Sequence, residues 1–380
     1  MKNQLIILLS VLLFACGKNK NETQTDFSNI SFSMDTVVVD PGDEIIYLQW
    51  SLGVSDLSGD KNFLYNFNMN DYTLEKIDLE ELKLVEKLPY EKEGPNGLGM
   101  FPNDFYVLGE DRFFIGGFEA KGFYNHEGER LEKFDFKKRE YEGGGFLEGE
   151  DFSSIVSLED QPQTFYGLLR NWTDKSVEFA KLNHDANQFK KYELPEFVKL
   201  KDFFMELNDG TRRMIMGPSI MLDASEGKII LSNDAANEFY WYDIEKDSLY
   251  YQLYESQLTE NERKIKFPPV VESQAELREM MEKAKEEIRF MAPVWDEEKA
   301  LFYRFSYIEK QAGQDSGTVE SEANAQVYLT IFDRDLNMVG ESPVGVLKKR
   351  PGNHFVKGGK IWMYENMDDE LGFVRLSLLL

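Results

Sequence analysis

Short runs in which every second residue is large and apolar recur along the whole chain, and they restrict the fold class more tightly than any other feature. Phe63, Tyr65 and Phe67 fall on one side of an extended segment. So do Tyr240, Tyr242 and Ile244, then Leu301, Tyr303, Phe305 and Tyr307, and Val327, Leu329 and Ile331. A period of two belongs to strands. Turn-forming clusters at 57–61, 125–128, 223–227 and 333–337 separate the runs, and each reads as a hairpin closure. The chain carries 29 Phe, 18 Tyr and 5 Trp, an aromatic density that favours strands further.

The runs form a coarse repeat. Ends of the third-strand candidates fall near Asp78, Asn125, Asn183, Asp243, Asp333 and Arg375, at spacings of 47, 58, 60, 90 and 42 residues. Most are close to the roughly 40–50 residues of a four-stranded propeller blade. The predicted fold is therefore all-β, a six-bladed β-propeller with one helical insertion at about 272–291. A β-sandwich or another mixed all-β arrangement is the alternative. Residues 30–39 have no partner of their own and are expected to pair with the C-terminal unit, 355–380, removing an open edge. Residues 72–88 read as strand, acidic turn, strand. In the insertion, Ser273 and Glu276 form a capping box ahead of Leu277, Met280, Met281, Ala284, Ile288 and Met291 at helical spacing. Such a helix is either a lid or partner-docking element, or a long connection packed on the rim. The second is the expectation.

The N-terminus carries a different signal. Lys2 precedes an apolar run at 5–14, which ends in Leu13-Phe14-Ala15-Cys16-Gly17. The run is too short to span a bilayer, which takes about 20 residues. Residues 1–15 read as a lipoprotein signal peptide, Cys16 as the lipid attachment site, 16–29 as a flexible tether and 30–380 as a single propeller domain. The expected location is the bacterial cell envelope, as an outer-membrane lipoprotein on its periplasmic or surface face. Cys16 is the one cysteine, so a lipidated chain has no disulfide.

A net charge of −26 opposes a phosphate backbone, so nucleic acid is not an expected partner, and the membrane is expected to be reached through the anchor only. His126, His184 and His354 are not at metal-ligand spacing and read as loop residues. Residues 56–62 and 333–337 imitate a calcium loop but depart from its later positions, so a turn is the better reading. No cofactor is assigned, beyond adventitious calcium. Nucleophile-elbow and phosphate-loop patterns are absent, and Ser232-Asn-Asp234 is only the start of a sialidase-type box. No catalytic residue is assigned. A propeller gathers ligands where loops converge at the channel mouth, and an acidic chain that recognises an anionic or sugar ligand needs its cations and aromatics there. Candidates are Arg170 with Trp172, Arg212 with Arg213, and Lys348, Lys349 and Arg350 with His354. The leading expectation is a binding or scaffolding propeller that recognises a peptide, glycan or partner protein. The alternative is an envelope or glycan hydrolase working through carboxylate acid/base groups.

Two segments add a resemblance. Phe32-Ser-Met-Asp-Thr-Val-Val-Val-Asp40 follows the lipidation signal, and residues 78–88 lead into Glu93-Gly-Pro-Asn-Gly97. Over nearly its whole length the chain resembles a Bacteroidetes lipoprotein family of unknown function, domain of unknown function 4221. The turn at 93–97 is similar to a Gly-Pro-Gly-Glu-Phe-like turn of related six-bladed propellers, with the aromatic displaced to Phe101. The resemblance implies a six-bladed propeller and no particular reaction.

Overall fold

Alternating side chains give each strand two faces, and the fold covers both. A computed structural model describes residue 27 and residues 30–211, 213–310 and 324–379. Six antiparallel sheets follow one another. Blade 1 is Ser55–Leu57, Phe63–Asn68, Thr73–Asp78 and Lys83–Pro89. Blade 2 is Pro102–Val107, Phe113–Gly117, Lys121–Tyr124 and Arg130–Lys133. Blade 3 is Glu150–Leu158, Gln161–Asn171, Ser176–Asn183 and Gln188–Glu193. Blade 4 is Ile220–Ser225, Lys228–Asn233, Glu238–Asp243 and Ser248–Leu253. Blade 5 opens with Arg289–Phe290 and Val294–Asp296 and continues through Leu301–Lys310, Asn324–Phe332 and Met338–Pro343. Blade 6 takes His354–Lys357, Lys360–Met367 and Glu370–Leu379 from the C-terminal end and its outer strand, Ser31–Val38, from the N-terminal end.

Each junction between neighbouring blades has its own apolar cluster. Tyr65, Phe67 and Leu74 meet Phe105, Phe113 and Tyr124 between blades 1 and 2. Phe114 and Phe123 meet Phe152 and Phe165 between 2 and 3. Tyr166 and Phe179 meet Ile229, Leu231 and Tyr242 between 3 and 4. Phe239 and Tyr254 meet Phe302 and Phe332 between 4 and 5. Tyr303 and Phe305 meet Ile361 and Leu376 between 5 and 6. Leu64 and Ile77 meet Trp362 and Phe373 between 6 and 1. The sixth cluster closes the ring. The protein is a six-bladed propeller, and the edge of blade 6 is sealed by eight residue pairs from Ser31↔Leu379 to Val38↔Gly372. Asp35 adds an ion pair across this seam: it accepts from Arg375 Nε at 2.5 Å and from Lys360 Nζ at 3.0 Å. Those two hydrogen bonds hold its carboxyl below the usual range.

Buried polar groups pin the ring at two places. Arg304 is 1% exposed on the second strand of blade 5. Its guanidinium donates to the carbonyl of Met291 at 2.9 Å, to Asn237 Oδ1 at 3.0 Å and to the carbonyl of Asn233 at 3.1 Å. It lies 4.6 Å from the Phe239 ring centroid and 4.7 Å from that of Phe290, so blades 4 and 5 share one cation. On blade 1 the buried Glu75 accepts from the Tyr47 amide at 3.0 Å, Asn66 Nδ2 at 2.8 Å and Asn68 Nδ2 at 3.0 Å. This fastens the segment that links the sealing strand to blade 1.

The insertion has two parts. The helix Gln274–Lys285, capped by Ser273 Oγ on the Glu276 amide at 3.2 Å, lies between blades 4 and 5. A hairpin, Met205–Asn208 and Arg213–Met216, lies between blades 3 and 4 and pairs in parallel with Val270–Val271. Met205, Leu207, Val271 and Leu277 form a small core of their own. In the turns at 56–62 and 333–337, Asp60 Oδ1 accepts from the Asn62 amide at 3.0 Å and Asp333 Oδ1 from the Asn337 amide at 2.8 Å, while Asp56 Oδ2 accepts from the Val107 amide of blade 2 at 2.9 Å. His354 corrects the expectation of loop histidines. It begins the innermost strand of blade 6, because Asn353 and Gly352 turn the chain inward just before it.

The innermost strands surround a central channel. Antiparallel order places the links between blades and the turns after each second strand on one face, here the entry face. Turns after the first and third strands lie on the opposite face. Three carboxyls stand on innermost strands: Asp56, Asp104 and Asp223. Burial pushes them up to about 7, about 7 and about 6. Lys121 acts against this at Asp104, and Lys61 at Asp223. Burial holds His354 down at about 4.

Two predictions follow from these groups. Arg304→Ala leaves a cavity and removes the donor from four acceptors, the Met291, Asn233 and Ala236 carbonyls and Asn237 Oδ1, and should lower unfolding free energy by about 3–5 kcal/mol. Arg350→Ala, at an exposed position, should change it by less than about 0.5 kcal/mol. Denaturant titration of the full chain measures both, and a loss below about 1 kcal/mol for Arg304→Ala contradicts the clamp. The second concerns pH. Asp56 has a folded pKa above its free value of about 3.9, so its stabilising contribution is complete at low pH and is lost as pH rises towards 7. Asp56→Asn mimics the neutral carboxyl and cannot ionise. Relative to wild type it should gain stability between pH 4 and 8, at up to about 1.4 kcal/mol per pH unit. A pH-independent difference contradicts the burial of that carboxyl.

Candidate functional site

On the entry face, the turns of blades 3 and 4 and the two parts of the insertion enclose a cavity of about 630 Å³. Ser154 and Ile220, on the innermost strands of blades 3 and 4, form its floor. The floor is irregular: the register of the innermost strand of blade 3 shifts between Ser153 and Val156, and Ser154 has φ +51°, a left-handed conformation rare outside glycine. Such bulges bend a strand and re-aim its side chains. The apolar wall is Phe203, Phe204, Met205, Met216 and Phe267. Gly217 is required there, since a Cβ would sit 2.4 Å from the Phe204 ring. Met281, Ala284 and Lys285 bring the helix in as a roof. The helix thus takes part in the cavity and is more than a connection on the rim.

Cations dominate the polar part of the lining. Arg170, at the end of the second strand of blade 3, donates to the Ile220 carbonyl at 3.4 Å, and its guanidinium lies 5.9 Å from the Trp172 ring centroid. Asp234 follows the second strand of blade 4. It is fixed by reciprocal bonds with Ser219, each 3.1 Å. Arg263 Nη2 reaches Asp234 Oδ2 at 2.7 Å, and Arg289 Nη1 lies 3.7 Å from the same oxygen. Arg263 is 7% exposed. Its Nε and that of Arg289 are buried without a hydrogen-bond partner. Burial lowers the pKa of Arg170 and of Arg263, which remain charged. Three guanidinium groups, Arg170, Arg263 and Arg289, therefore line the cavity against one lining carboxylate, Asp234, while Lys285 is paired with Glu282 at 2.7 Å. This excess sits in a chain of net charge −26.

Of the candidates from the sequence, Arg170 and Trp172 line this one cavity, and the others lie elsewhere. Arg213 is exposed on the hairpin and binds Glu206 in a fork, at 2.7 and 3.0 Å. Arg212 and Cys16 lie outside the described residues. Arg350 is exposed, 3.8 Å from Glu309, while His354 turns to the channel, so these two do not form one patch. Arg263 and Arg289 had no sequence signal. They lie 29 and 55 residues beyond Asp234 and meet it only because the insertion returns to blade 5. Among the described residues no three His, Cys, Asp or Glu side chains come together as a metal site.

Comparison with known proteins agrees with this architecture. A family model described as Domain of unknown function (DUF4221) matches residues 27–343. The crystal structure of a DUF4221 member from Bacteroides vulgatus superposes with TM-score 0.66 at 13% identity, over 93% of this chain and 99% of that one. A Bacteroides fragilis protein classed as exported gives TM-score 0.52 at 9% identity, over 92% and 96%. At these identities the likeness is one of fold alone. No curated protein matches the sequence. The chain belongs to the DUF4221 family.

Proposed function

We propose that this protein is an envelope-anchored binding propeller whose entry-face cavity takes a small anionic ligand with an apolar or aromatic body. The observation that carries this reading is the surplus of guanidinium groups, Arg170, Arg263 and Arg289, around one lining carboxylate. A hydrogen bond from a guanidinium to a carboxylate or phosphate oxygen is worth about 1.5–3 kcal/mol. The apolar wall and the helix roof suit the rest of such a ligand. Among the described residues lining the cavity, no serine or threonine stands beside a histidine.

The envelope part of the reading rests on the lipidation pattern ending at Cys16 and on the likeness in fold to a Bacteroides fragilis protein described as exported. No helix of the described residues is long and apolar enough to cross a membrane, so the acylated thiol would supply the attachment. A single acyl chain binds reversibly, and stable anchoring takes more than one.

Two measurements test the proposal. Calorimetric titration of the full chain with 4-phenylbutyrate and with 4-phenylbutanol should favour the carboxylate by about tenfold or more, the worth of one charge-assisted hydrogen bond. Arg170→Gln and Arg289→Gln should each remove most of that preference. Equal affinity for the two compounds, or binding to neither, contradicts the anion site. Cys16→Ser should abolish acyl incorporation and leave the leader uncut, read by mass spectrometry of the purified chain. A processed, acylated Cys16→Ser chain contradicts the anchor.

A further inference from the structure

The entry-face cavity opens onto a surface rich in exposed apolar side chains. In the loops of that face, Ile45, Phe101, Phe118 and Leu147 are 79, 58, 88 and 68% exposed. Each lies in a link between blades or in the turn after a second strand. Trp172, Met214 and Met281 are 47, 44 and 43% exposed. Trp172 and Met281 line the cavity, and Met214 precedes Ile215 and Met216, which line it too. Among the described residues, no turn of the opposite face exposes a large apolar side chain. Those turns carry mainly acidic residues, among them Asp60, Glu110, Asp111, Glu127 and Glu159. Single exposed apolar residues need no explanation, but their confinement to one face marks an interaction surface.

The surface discriminates between occupants. A small molecule held in the cavity would leave most of these side chains uncovered. A bilayer would cover them, but Glu44, Glu119 and Glu148 are exposed directly beside Ile45, Phe118 and Leu147, and carboxylates are repelled by an anionic lipid surface. Ser31, where the chain from Cys16 enters the propeller, lies at the opposite face, paired with Leu379.

A polypeptide end fits both the cavity and the surface around it. Its terminal carboxylate is an anion, its last side chain supplies the apolar body, and the residues before it pass over the exposed side chains. Charge decides where that end sits. The channel holds a separate cavity of about 460 Å³, but Asp56, Asp223, Glu226 and Glu297 line it and repel a carboxylate. Arg170 and Arg289, both partly exposed, line the entry-face cavity and attract one. Resting on the anion-binding reading of that cavity, we infer that the entry face docks a polypeptide partner whose C-terminal carboxylate and apolar last side chain occupy it.

The test is calorimetric titration of the full chain with N-acetylated peptides that end in Phe or Leu. They are about one, four and eight residues long, with Leu, Phe, Ser and Gly mixed at the preceding positions, and the longest reaches at most about 29 Å. As free acids, the longest peptides of at least one series should bind about tenfold or more tighter than the shortest, a factor that one further buried apolar side chain supplies. Their C-terminal amides should bind about tenfold more weakly than the acids. Leu147→Ser combined with Met214→Ser alters two exposed residues outside the cavity lining. It should weaken the longest acid by about fivefold or more and leave 4-phenylbutyrate unchanged, which also shows that the variant is folded. Leu131→Ser, exposed on the outer strand of blade 2, should change neither. The inference is overturned if affinity does not rise with length, if amides bind as tightly as acids, or if the double variant binds the longest acid like wild type. If 4-phenylbutyrate binds while longer peptides gain nothing, the anion site stands and the polypeptide partner does not; if 4-phenylbutyrate does not bind, both readings fail. In vesicles of brominated phosphatidylethanolamine and phosphatidylglycerol, Trp172 should not be quenched. Quenching that Trp172→Phe removes would seat this face in lipid and overturn the inference.

Discussion

A blade with aromatic residues on both faces cannot be stable alone. Each of its faces must be covered by a neighbour, and a row of such blades always leaves two faces exposed until the row closes on itself. Everything else in this protein depends on that closure. The apolar cluster between blades 6 and 1 is the one that an open row would lack, and it contains Leu64, Ile77, Trp362 and Phe373 at or near zero exposure. Fully burying side chains of this size stabilises by about 1.5–3 kcal/mol each. The strand Ser31–Val38 completes the closure by tying the two chain ends into one sheet, so that separating blade 6 from blade 1 requires breaking an eight-residue ladder.

Closure also determines which polar groups are buried and how they are satisfied. In a half-covered sheet the second face is wet. Here it meets the next blade, and polar residues on it must find partners inside. Arg304 does so through carbonyls and two aromatic faces, Glu75 through an amide and two asparagines. The channel carboxyls do so only in part, which is why burial raises their pKa values. Polar groups with incomplete partners are spread over several blades, from Tyr124 and Tyr141 to Ser232, and they include guanidinium nitrogens of Arg263 and Arg289 beside the entry-face cavity. The two cavities differ in charge: guanidinium groups line the entry-face cavity, and Asp56, Asp223, Glu226 and Glu297 line the channel.

The sequence was most legible where local pattern and tertiary structure agree. The third strands of blades 1, 3 and 4 end at Asp78, Asn183 and Asp243, where the repeat placed them, and those of blades 2 and 5 end one residue before Asn125 and Asp333. Residues 72–88 are two strands around an acidic turn, despite good helix formers. The hairpin at 205–216 escaped notice because its strands are rich in Met, Leu, Glu and Arg, although Asp209-Gly210 marks its turn. Arg304 stands at a position that reads as solvent-facing, between Tyr303 and Phe305, because periodicity reports alternation and not whether the second face is covered. At the candidate site Arg170 and Trp172 were visible as neighbours in sequence. Arg263, Arg289 and Asp234 were not, since only the path of the insertion brings them together.

The propeller therefore acts as a rigid frame: two cavities of different chemistry are fixed by strands that cannot move independently while the ring is shut. Hydrogen exchange of the Ser31–Val38 amides tests this frame most directly. With the ring closed, the amides of this strand that pair with Glu370–Leu379 should exchange as slowly as those in the centre of blade 6, through global unfolding alone. Rapid exchange of this strand, with the remaining blades protected, would show that the ring is not held shut by its N-terminal strand and would contradict the account.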